Sequence, residues 1–526
     1  MTRPMPPSQR YLALYITKLA ASAMCGLAGC LLNPGAAQAD AISTWNDELL
    51  SVIRKTSPLL VDGPPEVARE IAIVGTSMFD AVNAATGLTY SPYAYTGGAV
   101  TGASADAAGF QAGYRAMITI FSDPIWTGPG GNAALITNVV LPEINAVYAA
   151  GLSSLGSGAA VSAGLALGDT AANMVAAKRA GDGSAAAIID GLTPQAPPGS
   201  GTVPGVYVPP SATGGRPEMF PQWGTVAPFG VTPAQLTSLQ NAVPGPPALN
   251  SQAYALGLLQ TECVGVITTH ALSPATLAAC AANNFVPSKV TTDSALFWND
   301  PGGTFQPPGH WLDITTTLMK SQHLTLAQSA RLEELIGLAL NDAGVASWAL
   351  KYQYNLWRPI TAIRNCGPEG DGTVIWNPFF TTCDPTWQSE IATPPHPDYV
   401  AGHPAFSGAA ATVLEGFFGV DGIQFCSTSD PYNDPIRGPV APITECYNSI
   451  SEASNGLRGS TFSRVAGGIH SPSAVLDAEV LGDNIGNQIL TDLGVAPIPE
   501  PAVPAVFGLA LMVLAAARRR RPAKRV

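Results

Sequence analysis

The chain has 526 residues, 46% of them apolar and 12% charged, which is ample material for a large buried core and excludes disorder along its whole length. That length accommodates two or three average domains or one large helical unit. A formal net charge of −12 makes it a poor nucleic-acid binder, so any anion it holds must be met by a few focused residues.

Residues 1–39 place Arg3, Arg10 and Lys18 ahead of an apolar run from Leu19 to Leu32, followed by Ala37-Gln38-Ala39. That order is expected of a secretory signal peptide cut after Ala39. Leu27-Ala28-Gly29-Cys30 is similar to a lipoprotein acylation box and offers a rival cut. Past the leader, Val67, Ile71, Val74, Met78 and Val82 recur at spacings of three and four after Pro64-Pro65, which predicts a helix. Ala-rich stretches around 102–120, 132–150 and 158–180 continue the pattern, so residues 40–192 are expected to form an N-terminal helical bundle.

Between 193 and 245 proline and glycine are too frequent for a long helix, and an irregular excursion over the surface is expected. A second bundle is expected over 246–497, within which Thr325 and Gln328 make a capping-box pattern opening a helix that runs to Lys351. Period-two alternation is scarce throughout, so the fold class is all-α with long Pro/Gly-rich loops.

The C-terminal segment 498–526 carries Pro499-Glu500-Pro501, an apolar stretch from Ala502 to Ala517, and Arg518-Arg519-Arg520-Arg521. It resembles the bacterial PEP-CTERM sorting signal. The resemblance implies export from a Gram-negative cell, transient inner-membrane contact through this apolar segment, and a destination at the cell surface, in the periplasm or outside the cell. Loss of both ends removes nine positive charges and Glu500, taking the net charge from −12 to −20.

Cys25 and Cys30 belong to the leader, and the remaining six fall as Cys263/Cys280, Cys366/Cys383 and Cys426/Cys446. Disulfides between neighbours suit an oxidising compartment, although six cysteines allow 15 connectivities. None has CxxC spacing, which argues against zinc.

Three separated segments carry the chemistry. Lys351 and Arg358-Pro359 are seven apart, so both could project from one helix face or from a helix and its exit. Gly402-His403-Pro404 precedes a small-residue run, which predicts a helix start with free amides for an oxyanion; the bland alternative is that His403 only caps the helix. Arg464 and His470 lie about 240° apart on a straight helix and converge only if Gly467-Gly468 bend the chain. Ser471-Pro472 then looks like the cap and first residue of a further helix. One lysine, two arginines and two histidines suit a bound tetrahedral oxyanion and acid–base or nucleophilic work on it.

In order, spacing and type these segments resemble the superfamily of vanadium-dependent haloperoxidases and type 2 phosphatidic acid phosphatases. Its pattern is a lysine separated by six residues from Arg-Pro, then Pro-Ser-Gly-His, then Ser-Arg-x-x-x-Gly-x-His. It is met at Lys351, Arg358-Pro359, Gly402-His403, Ser463-Arg464, Gly468 and His470. Trp348, three before Lys351, and the stretch from Arg69 to Ala84 extend the likeness over most of residues 50–490.

The resemblance implies that Lys351, Arg358 and Arg464 bind the oxygens of vanadate or phosphate while Gly402 adds a backbone amide. His403 would be the acid–base, and His470 the ligand to vanadium or the nucleophile toward phosphorus. Two positions depart or discriminate. Ala401 stands where the family has serine, which implies weaker vanadate retention. Chloride-oxidising members tend to carry phenylalanine where His396 stands and bromide-oxidising ones histidine, so Trp348 and His396 become halide-site candidates favouring bromide or iodide. The bland reading of His396 is a surface histidine in a proline-rich loop.

The expected function is therefore an exported haloperoxidase using vanadate, hydrogen peroxide and halide. The alternatives are a secreted acid phosphatase that forms a phospho-His470 intermediate on a phosphate ester without vanadate, and a non-catalytic surface or matrix protein. A homodimer is implied by family likeness alone.

Overall fold

The computed structural model describes residues 40–192, 203–208, 218–365 and 384–495. The leader, the sorting signal and the Cys366/Cys383 pair lie outside the described residues. From Ala41 the chain forms α1 (Ala41–Thr56), α2 (Pro64–Ala85), α3 (Ala105–Phe121), α4 (Ala133–Leu155, with a π-turn at Ile136–Val140), α5 (Ala159–Arg179) and α6 (Ser184–Leu192). Next come α7 (Pro233–Asn241), α8 (Gln252–Val264), α9 (Pro274–Ala282), α10 (Lys289–Phe297), α11 (Gln306–Ser321), α12 (Leu326–Tyr354), α13 (Pro359–Arg364) and α14 (Gly402–Phe418). Four short strands follow, β1 (Phe425–Thr428), β2 (Tyr432–Asp434), β3 (Gly438–Val440) and β4 (Thr444–Tyr447), and then α15 (Ile450–Asn455), α16 (Ser460–Ala466) and α17 (Pro472–Asp492).

The fold is all-α, as its periodicity predicts. Among the described residues the strands make two antiparallel ribbons, β1 with β4 and β2 with β3, and Cys426 faces Cys446 across the first and is bonded to it. The Cys263–Cys280 disulfide likewise joins α8 to α9. Local signals hold at the helix starts: Pro64 and Pro65 open α2, and the Thr325–Gln328 capping box opens α12.

One continuous apolar core runs from Trp45 on α1 to Ile489 on α17. Helix α12 is buried along most of its length because it packs against α2 on one side and α14 on another. Small residues set the spacing of these contacts. A Cβ on Gly337 would meet the Ala72 Cα at 2.7 Å, and one on Gly482 of α17 would meet the Ala405 carbonyl oxygen at 2.2 Å.

The Pro/Gly-rich segment differs from expectation. Its described part does not run wholly over the surface: Trp223, in a 3-10 turn to Thr225, is fully buried and Phe220 nearly so. The cause lies on α12, where the Asp342 carboxylate accepts from the amides of Phe229, Gly230 and Val231 at 2.6–2.8 Å and ties the segment into the core.

Candidate functional site

Lys351 lies in the last turn of α12, fully buried, and its Nζ donates to the Pro397 carbonyl at 3.0 Å. The helix stops at Asn355, whose left-handed backbone (φ 46°) closes the last turn onto Lys351 O. Arg358 is therefore not on the same helix face as Lys351. It is the extended residue before Pro359, where α13 starts, and this second of the two geometries swings its guanidinium back toward the end of α12.

Arg358 is also fully buried. Its Nε donates to His396 O at 2.6 Å, Nη1 to Ile469 O at 2.6 Å, and Nη2 approaches His396 Nδ1 at 2.9 Å. Nη1 also reaches His470 Nε2 at 3.0 Å. Because a guanidinium can only donate, both imidazole nitrogens must be acceptors. His470 then carries its proton on Nδ1, which donates to Asp398 Oδ1 at 2.6 Å.

The glycine bend is present. Helix α16 ends at Ala466, Gly468 has φ +75°, and the amides of Ile469 and His470 fold back onto Arg464 O. A side chain at Gly468 would collide with the Gly265 carbonyl oxygen at 2.2 Å, so glycine is required there twice over. Arg464 is fully buried; its Nε donates to Ser463 Oγ at 2.9 Å and Nη2 to Ala295 O at 3.2 Å. Its Nη1 lies a long 3.5 Å from His403 Nε2.

Helix α14 begins at Gly402, with Ala401 as its N-cap and no side-chain cap bond. The first-turn amides of Gly402 and His403 have no intrahelical partner and are suited to an anion. Trp348 packs over this start: a Cβ on Gly402 would touch its ring at 3.1 Å. The Trp348 indole donates to Met219 O, and Met219 N donates to Pro395 O, so the pinned Pro/Gly segment helps to fix the site wall.

His396 is not a surface histidine. It is only 6% exposed, 5.2 Å ring to ring from Trp348 and 6.4 Å from His470, and hydrogen-bonded to Arg358. Burial, with Lys351 and Arg358 beside it, pushes its pKa well below the ordinary histidine range. The same burial lowers His470, with Arg358 and Lys351 adding to it, and His403, with Arg464 adding to it. All three imidazoles are thus neutral near pH 7.

Burial also draws the cations down: Lys351 well below its usual value, Arg358 and Arg464 to about 10. Among the described residues none of the three is in an ion pair; their partners are carbonyls, a hydroxyl and imidazoles. Three dry cations in this state fit a compact, highly charged oxyanion such as vanadate or phosphate, which would repay their desolvation.

Lys351, Arg358, His396, His403, Arg464 and His470 therefore converge, with Trp348 and Gly402 alongside. Sequence reasoning missed Asp398. Burial pushes its carboxyl up to about 6 while Arg358, Ser471 and Lys351 pull the other way, so it is largely a carboxylate near pH 7. Ser471 is the N-cap of α17 by position, but its hydroxyl donates to Asp398 Oδ2 at 2.8 Å instead of capping the helix. The need of a working histidine for an orienting acceptor was the available signal, and Asp398 stands five before His403. Asp300, held by His310 and acting on Arg464 through its charge, carried no local signal at all.

Residues 331–493 match a family model described as the second helical-bundle domain of VCPO. Over 153 residues the chain is 27% identical to the vanadium chloroperoxidase of Curvularia inaequalis, a match that spans 26% of this chain and 24% of that protein. Among solved structures, the first bacterial vanadium-dependent iodoperoxidase superposes with a TM-score of 0.62 at 18% identity, covering 86% of this chain and 96% of that one. A holo-type bacterial vanadium-dependent chloroperoxidase gives 0.55 at 16% identity, with 85% and 95% covered. At these identities the superpositions establish the fold.

Proposed function

We propose that this chain belongs to the vanadium haloperoxidase superfamily and oxidises a halide with hydrogen peroxide on a vanadate held by Lys351, Arg358, Arg464, the Gly402 amide and His470; the matches to that family support the reading. One observation carries the reading: three fully buried cations, in no ion pair among the described residues, lie around an imidazole whose Nε2 is kept as a lone-pair acceptor by Asp398 at its other nitrogen. Bound vanadate would supply Lewis acidity toward peroxide.

The chain's own residues do the rest. Lys351, Arg358 and Arg464 hold the oxyanion and meet the negative charge that develops on its oxygens, in a pocket dry enough for each charge to count. His403, neutral and facing the cavity, accepts a proton from hydrogen peroxide and returns one to the departing oxygen as water. Overall, peroxide is reduced by two electrons, halide is oxidised by two, and one proton is consumed to give hypohalous acid and water. Buried His396, between Trp348 and Arg358, supports a preference for bromide or iodide, and the iodoperoxidase among the similar folds is compatible with that. Export is part of the proposal, and the two described disulfides are in keeping with it.

The test is to load the purified protein with orthovanadate and compare bromide oxidation with phosphate-ester hydrolysis. Vanadate-dependent bromide oxidation, abolished in His470→Ala, is expected. Hydrolysis that vanadate inhibits would instead establish the phosphatase reading, and neither activity, with no change in His470→Ala, would leave a non-catalytic protein. Faster turnover of chloride than of bromide would refute the halide preference.

A further inference from the structure

Beside the cationic pocket lies a cavity of about 460 Å³ with His396, Gly402 and His403 in its wall. That is far more room than a halide or peroxide needs, and it falls within the roughly 300–1,000 Å³ of small-molecule sites. Its lining is mainly apolar, with Met219, Pro307, Trp348, Pro394, Pro395 and Phe406 contributing. Prolines and a tryptophan held by tilted ring contacts with His396 and Phe406 give rigid walls, which cost little entropy when a flat molecule binds.

Two acidic residues in the lining define what fits. The Asp300 carboxylate is engaged by His310, whereas Asp434 has only one oxygen in use: Oδ1 accepts from the amides of Ile436 and Arg437. The other, Oδ2, has no hydrogen-bond partner among the described residues although Asp434 is only 2% exposed. A buried carboxylate oxygen left unpaired costs free energy unless a donor arrives.

We propose that this cavity binds a neutral hydroxylated aromatic molecule, its ring against the proline, Trp348 and Phe406 walls and its hydroxyl donating to Asp434 Oδ2. A negative charge placed against Asp434 is disfavoured by its carboxylate, and a purely apolar molecule leaves Oδ2 unpaired. The binding stands by itself; its consequence for chemistry rests on the haloperoxidase reading. In that case an electron-rich ring held beside the pocket is halogenated where it sits: a carbon–halogen bond forms, the oxygen–halogen bond of the hypohalous acid breaks, and the displaced ring proton leaves with hydroxide as water.

The probe is 2-naphthol, titrated calorimetrically into the full-length protein without vanadate, with 2-methoxynaphthalene as the partner that cannot donate. Saturable one-to-one binding of 2-naphthol is expected, at least tenfold tighter than its methyl ether. Asp434→Asn keeps Oδ1 for the turn but replaces the acceptor with a donor, and should weaken 2-naphthol about tenfold while leaving the ether unchanged. Ala392→Trp, which narrows the cavity from its wall, should weaken both. Equal affinity for the two naphthalenes in the unaltered protein, or no saturable binding, would overturn the proposal without recourse to any variant. Vanadate-loaded protein that binds 2-naphthol yet consumes no peroxide with bromide would sink the haloperoxidase reading and leave this site standing.

Discussion

Asp398 does for His470 what no residue within the Arg464–His470 segment can: it accepts the Nδ1 proton and leaves Nε2 facing the cations. Orienting acceptors of this kind are typically worth 10- to 100-fold in ligand affinity. Asp398→Asn should therefore weaken vanadate binding by about that factor, measured by equilibrium dialysis with vanadium quantified per chain; unchanged affinity would remove Asp398 from the site. Ala401 is the other telling residue. It caps α14 without a side-chain bond, and serine is among the best residues for that position. Ala401→Ser is expected to raise helix stability by about 1 kcal/mol. A restored hydroxyl donor to a charged group, worth roughly 1.5–3 kcal/mol, should also tighten vanadate about 10- to 150-fold. Firm retention of one vanadium per chain through dialysis by the unaltered protein would show that Ala401 costs it nothing.

At the scale of elements, α14 presents Gly402 and His403 correctly only if it lies close against α17, and glycines set that distance. Besides Gly482, a Cβ on Gly408 would meet the Glu479 carbonyl oxygen at 2.5 Å. Gly482→Ala should destabilise by about 1–3 kcal/mol, read as a lower urea midpoint, because the clash is with backbone that cannot move aside. The start of α2 carries a different constraint. Burial pushes the Asp62 carboxyl up to about 8 and Glu66 to about 7, and Glu70 is also raised well above the carboxylate range.

In the unfolded chain these groups ionise near pH 4. The folded state thus binds more protons between about pH 4 and 8. Stability from these groups is fully present below that window and is lost as pH rises through it. Above about pH 7, where the three buried histidines are neutral in both states, the denaturant midpoint should fall toward pH 8, and Asp62→Asn should flatten the fall; an unchanged slope in that variant would contradict the assignment.

At the scale of the whole molecule, the two disulfides among the described residues close loops of 17 and 20 residues beside the main core, which runs from α1 to α17, with a smaller apolar cluster around Ala81, Tyr95 and Leu167. Each should contribute about 3 kcal/mol, so a reductant should lower the thermal midpoint without changing helical content below the transition. The sequence by itself determined the all-α class and the helix starts at Pro64 and Thr325, and it singled out Lys351, Arg358, Gly402, His403, Arg464 and His470, which the fold brings together. These were legible because capping, proline geometry and helical period act within about four residues, and because the spacing of the kit resembles one superfamily.

Tertiary structure alone decided that Arg358 returns from outside the helix of Lys351, that His396 is buried against Trp348, that Ser471 serves Asp398 before its own helix, and that Met219 and Trp223 belong inside. Each depends on partners brought together across tens to hundreds of residues, where a buried charge or amide accepts whatever acceptor or donor packing delivers.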